Sequence, residues 1–244
     1  MTDKTIPIDN VVKVNLNTSL PAPLNLSFLL RKVSDDTLQQ LAGPGLYLIR
    51  FDDEVIYLGK YQPIGGKILT DRWLRHLETI TLRGKRVGFG ASKNPDKKLN
   101  SLLKQVSNPD LQSALQNIFM NHYEDRIKDT GVVTAKNRVG FADENWNYFS
   151  GSSDNSILDK FSITLLRLSG IASQSQASSL SSSIESQTLN TIKPRCNKEF
   201  SEKPHHDLRI NNTLEAVIEH VTHIARDHGV DFTHRTTLLG SEFI

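Results

Sequence analysis

The sequence predicts an α/β fold of the α+β type, and three observations predict it. Two β-prone runs, Gly45 to Phe51 and Val55 to Gly59, are separated only by Asp52, Asp53 and Glu54, which reads as an antiparallel hairpin. A third run, Phe161 to Leu168, alternates in part and reads as another strand far downstream. Apolar residues at helical spacing follow both the hairpin and the third run. The chain has 244 residues, 37% hydrophobic and 23% charged, enough for a packed core and unlike a disordered or fibrous protein. No apolar run approaches the roughly 18–20 residues of a membrane span. Met1 to Val14 show no apolar leader region, and the lone Cys196 cannot form an internal disulfide. The expected location is therefore cytoplasmic.

In chain order, Pro7, Pro21 and Pro23 give an irregular opening, and a short helix is expected from Ser34 to Gly43. After the hairpin, Thr70-Asp71 can cap a helix that buries Trp73, Leu74, Leu77 and Ile80. Residues 83–158 read as an insertion, with a helix from Pro109 to Lys128 and an aromatic, turn-rich loop from Phe141 to Phe149. The four-residue run RVGF occurs at 86–89 and at 138–141, too short to define a repeat. Residues 169–186 contain nine Ser, the composition of a flexible linker. Periodicity says otherwise. Ala177, Leu180, Ile184 and Ile192 fall on one helical arc, Pro194 ends it, and Glu185 sits at the edge of the apolar stripe. A last helix is expected from Thr213 to His228, with Leu214, Val217, Ile218, Val221 and Ile224 inward. His220 and His223 share one side of it, where surface histidines are favoured over a metal pair.

Charge is unevenly placed. The chain carries a net +2, yet Arg83, Lys85, Arg86, Lys93, Lys97, Lys98 and Lys104 face only Asp96 between positions 83 and 104. The remainder is acidic, so this stretch is a candidate polyanion-binding surface.

A second constellation lies on the hairpin. A three-residue link would pair position 49 with 57 and put Tyr47, Ile49, Phe51, Val55 and Tyr57 on one face. Lys60 follows at once, and Arg72 and His76 lie i,i+4 on the next helix. Two phenols, an imidazole and two cations suit phosphodiester chemistry: a proton acceptor for water, and positive charge for the phosphorane. That set contains no carboxylate for a hard divalent metal.

Gly45-Leu46-Tyr47 followed by Tyr57-Leu58-Gly59-Lys60 resembles the paired signature of the GIY-YIG nuclease superfamily. Arg72-x-x-x-His76 resembles the catalytic helix of its type II restriction endonuclease branch. Glu185 to Asn197 is similar to the family's Glu-bearing helix, which closes on Lys-Pro-x-x-Asn. Leu46 and Leu58 replace the isoleucines of the family name. The resemblance covers about a third of the chain. It implies a small three-stranded antiparallel sheet flanked by helices, split into residues 43–82 and 159–200, with a large insertion and a C-terminal helical extension. Residues 1–42 would form an N-terminal extension, 83–158 a DNA-recognition insertion, and 201–244 the C-terminal extension. The implied activity is Mg²⁺- or Mn²⁺-dependent hydrolysis of double-stranded DNA, by a homodimer where both strands are cut. Glu185 would ligate the metal, Tyr47 would activate water with help from His76, and Lys60 and Arg72 would neutralise phosphate charge. Tyr57 would position the scissile group and Asn197 would hold the site together. A repair or mobile-element nuclease, or a non-catalytic DNA-binding protein on the same fold, are the alternatives.

Overall fold

A computed structural model describes residues 5–18, 25–32, 44–61, 70–83, 95–121, 136–152, 154–169, 171, 173–197 and 212–233. Across the described residues the chain is a mixed α/β protein with two antiparallel sheets. Its N-terminal part holds strands β1 (Thr5–Pro7), β2 (Val12–Leu16) and β3 (Leu26–Leu30). The hairpin β4 (Gly45–Phe51) and β5 (Glu54–Tyr61) leads to helix α1 (Thr70–Thr81). Four described helices follow: α2 (Pro95–Leu103), α3 (Pro109–Asn121), α4 (Lys136–Glu144) and α5 (Trp146–Gly151). Strand β6 (Phe161–Ser169), helix α6 (Gln174–Thr191), helix α7 (Leu214–Asp227) and strand β7 (Asp231–Thr233) complete the described chain.

The three strands expected from the sequence lie side by side in the larger sheet, in the order β6-β4-β5. Two short strands extend it. β1 and β7 both pair with the far edge of β6, β1 opposite residues 162–164 and β7 opposite 167–169. Alternation along β4 sends Tyr47, Ile49 and Phe51 to one face and Leu46 and Leu48 to the other. The first face packs on α1, α4 and α5, and the second packs on α6 and α7. Each fully buried Leu, Ile or Phe here contributes roughly 1.5–3 kcal/mol.

Ile49 pairs with Tyr57 as expected, but by another route. The turn itself has two residues, because Phe51 pairs with Glu54, and the odd residue is a bulge at Ile56. Asp52 takes the left-handed turn conformation with φ 52°, which Asp tolerates better than most residues. The bulge moves Val55 off the tyrosine face and puts Ile56 there instead. Gly45 is required by close packing: a Cβ there would lie 2.0 Å from the Leu166 carbonyl oxygen.

Three other expectations are corrected. The irregular opening contains strands, since Val12 to Leu16 and Leu26 to Leu30 form a two-stranded ribbon with α1 packed against β3. The expected loop from Phe141 to Phe149 is helical. Val139, Ala142, Trp146 and Phe149 are spaced three, four and three apart and are buried, with Phe141, Phe149 and Phe161 around Phe51 at 5.0–5.7 Å. The helix expected to Lys128 is described only to Asn121, and the short helix expected at Ser34 to Gly43 lies outside the described residues. The Ser-rich stretch is helix α6 as periodicity indicates, capped by Ser173, whose hydroxyl accepts from the Gln176 amide at 3.2 Å. α7 forms as expected, and His223 pairs with Asp227 at 3.4 Å on its exposed side.

Arg83 is the third correction. It is 1% exposed, and its guanidinium donates to the carbonyls of Phe149 and Ser152 and to Asn25 Oδ1. It fastens the end of α1 to α5 and to the N-terminal ribbon, so it is no part of a phosphate-facing surface. Arg83→Ala should orphan those acceptors and cost roughly 3 kcal/mol, about the ceiling for one such substitution. Denaturant titration measures this directly, and an unchanged midpoint would remove Arg83 from the framework.

Candidate active site

The predicted tyrosines meet the predicted histidine at the open end of the hairpin. Tyr47 is buried, and its hydroxyl is 2.8 Å from His76 Nε2. The Tyr57 ring lies 4.2 Å from the imidazole and 5.8 Å from the Tyr47 ring. This packing explains Gly59, which pairs with Tyr47 across the hairpin. A Cβ on Gly59 would stand 2.7 Å from the Tyr47 hydroxyl, so only glycine leaves the phenol its place. Helix α1 brings His76 in by burying Trp73, Leu77 and Ile80 beneath it.

The remaining predicted residues gather along β5. Lys60 donates its backbone amide to Glu185 Oε1 at 2.9 Å and its Nζ to Ser182 Oγ at 3.0 Å. Lys60 Nζ is also 3.8 Å from Glu185 Oε2. Arg72 donates to the Lys60 carbonyl at 3.3 Å. Asn197 accepts from the Leu58 amide at 2.9 Å and donates to the Leu58 carbonyl at 2.7 Å, as a paired strand would. All seven predicted residues, Tyr47, Tyr57, Lys60, Arg72, His76, Glu185 and Asn197, thus belong to one connected region.

Arg138, on α4, was not expected there. It is 5% exposed and touches four groups of the region. Its Nε donates to the Cys196 carbonyl at 2.9 Å, one terminal nitrogen bonds Thr79 Oγ1, and the other lies 3.3 Å from His76 Nδ1. The guanidinium also sits over the Tyr57 ring at 5.2 Å. Its neighbour Asn137 donates to the Asn197 carbonyl. Helical spacing with Val139, Ala142 and Trp146 was the available signal, hidden by the glycine and the aromatic residues around it.

Burial and like charge set the protonation states. His76 is held well below its ordinary value, first by burial and then by Arg138, Arg72 and Arg75, so it is neutral at pH 7. Tyr47 is pushed well up, chiefly by burial and next by Tyr57, while Arg72 and Arg138 oppose the shift. Tyr57 is raised mainly by burial, against Arg138. Burial pushes the Cys196 thiol to about 12, which leaves it an inert core residue.

Of the basic segment, Lys97 and Lys104 are exposed, whereas Lys85 and Arg86 and Lys93 lie outside the described residues and Lys98 is described only in its backbone. Among the described residues no group of three or more His, Cys, Asp or Glu side chains gathers to hold a metal. None of the described helices is long and apolar enough to cross a membrane. No protein-family model, curated protein or solved structure matches the chain.

The Asn197 amide gives a direct stability test. It is 5% exposed and completes both backbone groups of Leu58, so Asn197→Ala should orphan a buried donor and a buried acceptor. The expected loss is roughly 3 kcal/mol in denaturant titration. A loss under about 1 kcal/mol, within the range of one ordinary hydrogen bond, would mean that water replaces the amide.

Proposed function

We propose that the chain is a metal-dependent endodeoxyribonuclease of the GIY-YIG type, cutting double-stranded DNA sequence-specifically as type II restriction endonucleases do. One observation carries the reading: side chains from β4, β5, α1, α6 and the segment after α6 converge on the end of one hairpin. They supply a phenol paired with a neutral imidazole, two cations and a carboxylate, the set that phosphodiester hydrolysis uses.

A hard divalent cation fits this donor set. Mg²⁺ keeps several waters and is held by one or two carboxylates plus substrate phosphate. Glu185 offers one carboxylate, about one-fifth exposed, with Oε1 oriented by the Lys60 amide. When bound there, such an ion would supply Lewis-acid stabilisation of the phosphate charge. The chain's own groups do the rest. Tyr47, as phenolate, takes the proton of the attacking water as the water oxygen bonds phosphorus. The bond from phosphorus to the leaving ribose oxygen breaks, and that oxygen takes a proton from solvent. His76 holds the Tyr47 oxygen in place at 2.8 Å. Arg72 and Lys60 neutralise charge on the phosphate, and Tyr57 positions it. Asn197 keeps the β5 backbone in register beneath them. Phosphate contacts by Lys97, Lys98 and Lys104 would anchor the duplex, and a two-fold dimer would place one site on each strand.

The deciding experiment is plasmid cleavage with Mg²⁺ and with EDTA. Discrete fragments in the first and none in the second are expected, while a smear would point to a non-specific nuclease. Glu185→Ala should lose on the order of a thousandfold or more in rate, because several kcal/mol of stabilisation go with its metal. Its affinity for DNA should hold or rise. Near wild-type cutting by this variant would place the metal elsewhere.

Acidity provides a separate check. Burial raises Tyr47, so its phenolate is scarce at neutral pH and grows about tenfold per pH unit below its pKa. The cleavage rate should therefore climb steadily from pH 7 into the alkaline range. A plateau beginning near pH 6.5 would instead assign the proton to an ordinary histidine.

A further inference from the structure

We infer that Arg138 is a positioning residue that fixes the direction of the Tyr47–His76 hydrogen bond, making His76 the donor and the Tyr47 oxygen the acceptor. The inference rests on the nuclease reading for its catalytic meaning, but its geometry stands independently. A guanidinium carries only donors, so the nitrogen of Arg138 that lies 3.3 Å from His76 Nδ1 can bond it only if Nδ1 has a lone pair. A neutral imidazole with bare Nδ1 carries its proton on Nε2. That nitrogen faces the Tyr47 hydroxyl at 2.8 Å and must donate to it.

Arg138 has little freedom to do otherwise. Its Nε is engaged by the Cys196 carbonyl and its other terminal nitrogen by Thr79 Oγ1. Thr79 is fixed in turn, since its hydroxyl also bonds the Arg75 and His76 carbonyls at 2.9 and 3.1 Å. The guanidinium plane is thus set from two sides. The alternative, a proton passed from Tyr47 to His76, needs a bare Nε2 and therefore a proton on Nδ1, pointing at a cation. That tautomer is excluded while Arg138 is present.

The consequence for the reaction is specific. An Nε2–H donor stabilises the Tyr47 phenolate, so Tyr47 is the base and His76 keeps its proton throughout. The groups acting on this pair are Arg72 and Arg75 from α1, Tyr57 from β5 and Arg138 from α4, with Glu185 from α6 acting on Tyr57. Arg138 favours the phenolate by charge and by the hydrogen bond that it directs.

Two readouts test this. In protein labelled with ¹⁵N-histidine, the ring signals absent from His76→Gln identify His76. The wild type should show Nε2 protonated and Nδ1 bare at pH 7. Arg138→Met should abolish that preference, and Arg138→Lys, which keeps a charge and a donor, should restore part of it. A protonated Nδ1 in the wild type overturns the inference, whether or not the variants fold. In cleavage assays, Arg138→Met should raise by about one unit or more the pH at which the alkaline climb in rate levels off. A lowered rate whose climb levels off at the wild-type pH would reduce Arg138 to a packing role and overturn its part in the chemistry. Protein that shows Nε2–H yet never cuts plasmid would keep the hydrogen-bond assignment and lose the nuclease reading.

Discussion

The candidate site depends on one constraint: the outer edge of β5 must be paired. Among the described residues β5 is the last strand of its sheet, and no described strand pairs with its far side. Alternate residues along that edge are instead completed by other parts of the chain. The Ile56 carbonyl accepts from the Cys196 amide at 2.8 Å, and Asn197 bonds both groups of Leu58. The Lys60 amide goes to Glu185 and its carbonyl to Arg72. Three of the side chains assigned to the site, Arg72, Glu185 and Asn197, are therefore also partners of an edge strand. Their positions follow from backbone satisfaction as much as from chemistry, which is why a carboxylate from residue 185 can be placed against residue 60 across a long insertion.

What was legible in the sequence follows from the same distinction. The pairing of Ile49 with Tyr57 came from parity, and parity survived although the extra residue moved from the turn to the Ile56 bulge. Helix α6 was legible because Ile184 and Ile192 keep a 3.6-residue arc through a run of serines that composition alone would call a linker. The structure adds that Thr188 tolerates the buried face by bonding the Ile184 carbonyl at 2.7 Å. By contrast, α4 and α5 flank Asn145 and contain Gly140 and four aromatic residues, all poor helix formers in isolation. Burial around Phe51 overrides that preference, and a single-sequence window does not contain Phe51. The strands at Val12 and Leu26 were hidden differently: the prolines outside them, Pro7, Pro21 and Pro23, mark the region as irregular and outweigh the short alternation.

Arg83 and Arg138 show how little charge alone determines. Both are nearly fully buried arginines, and sequence reading placed Arg83 in a basic surface while passing over Arg138. Arg83 is enclosed by oxygen acceptors, two carbonyls and an amide oxygen, and its role ends there. Burial lowers it only to about 10, so it stays charged and its loss would strand those acceptors. Arg138 has oxygen partners for two of its nitrogens, while the third faces an imidazole. A hydrogen bond to a carbonyl fixes a fold, whereas one to an imidazole also fixes a protonation state. No count of basic residues distinguishes the two.

The position of Arg138 also ties the insertion to the sheet. Residues 83–158 are expected from the sequence to be a DNA-recognition insertion in a separate core. Yet α4 and α5 share one apolar cluster with β4 and α1, and Arg138 and Asn137 reach the histidine and the Asn197 segment. A change that loosens α4 would free the imidazole tautomer and the clamp on β5 together. If DNA engages the exposed Lys97 on α2 or Lys104 just beyond it, the load falls on elements packed into the same cluster as α4, through Leu99, Leu102 and Val106. Binding and chemistry would then be coupled through shared packing, without any hinge between a recognition unit and a catalytic one. Packed interiors transmit such strain because they have little free volume to absorb it.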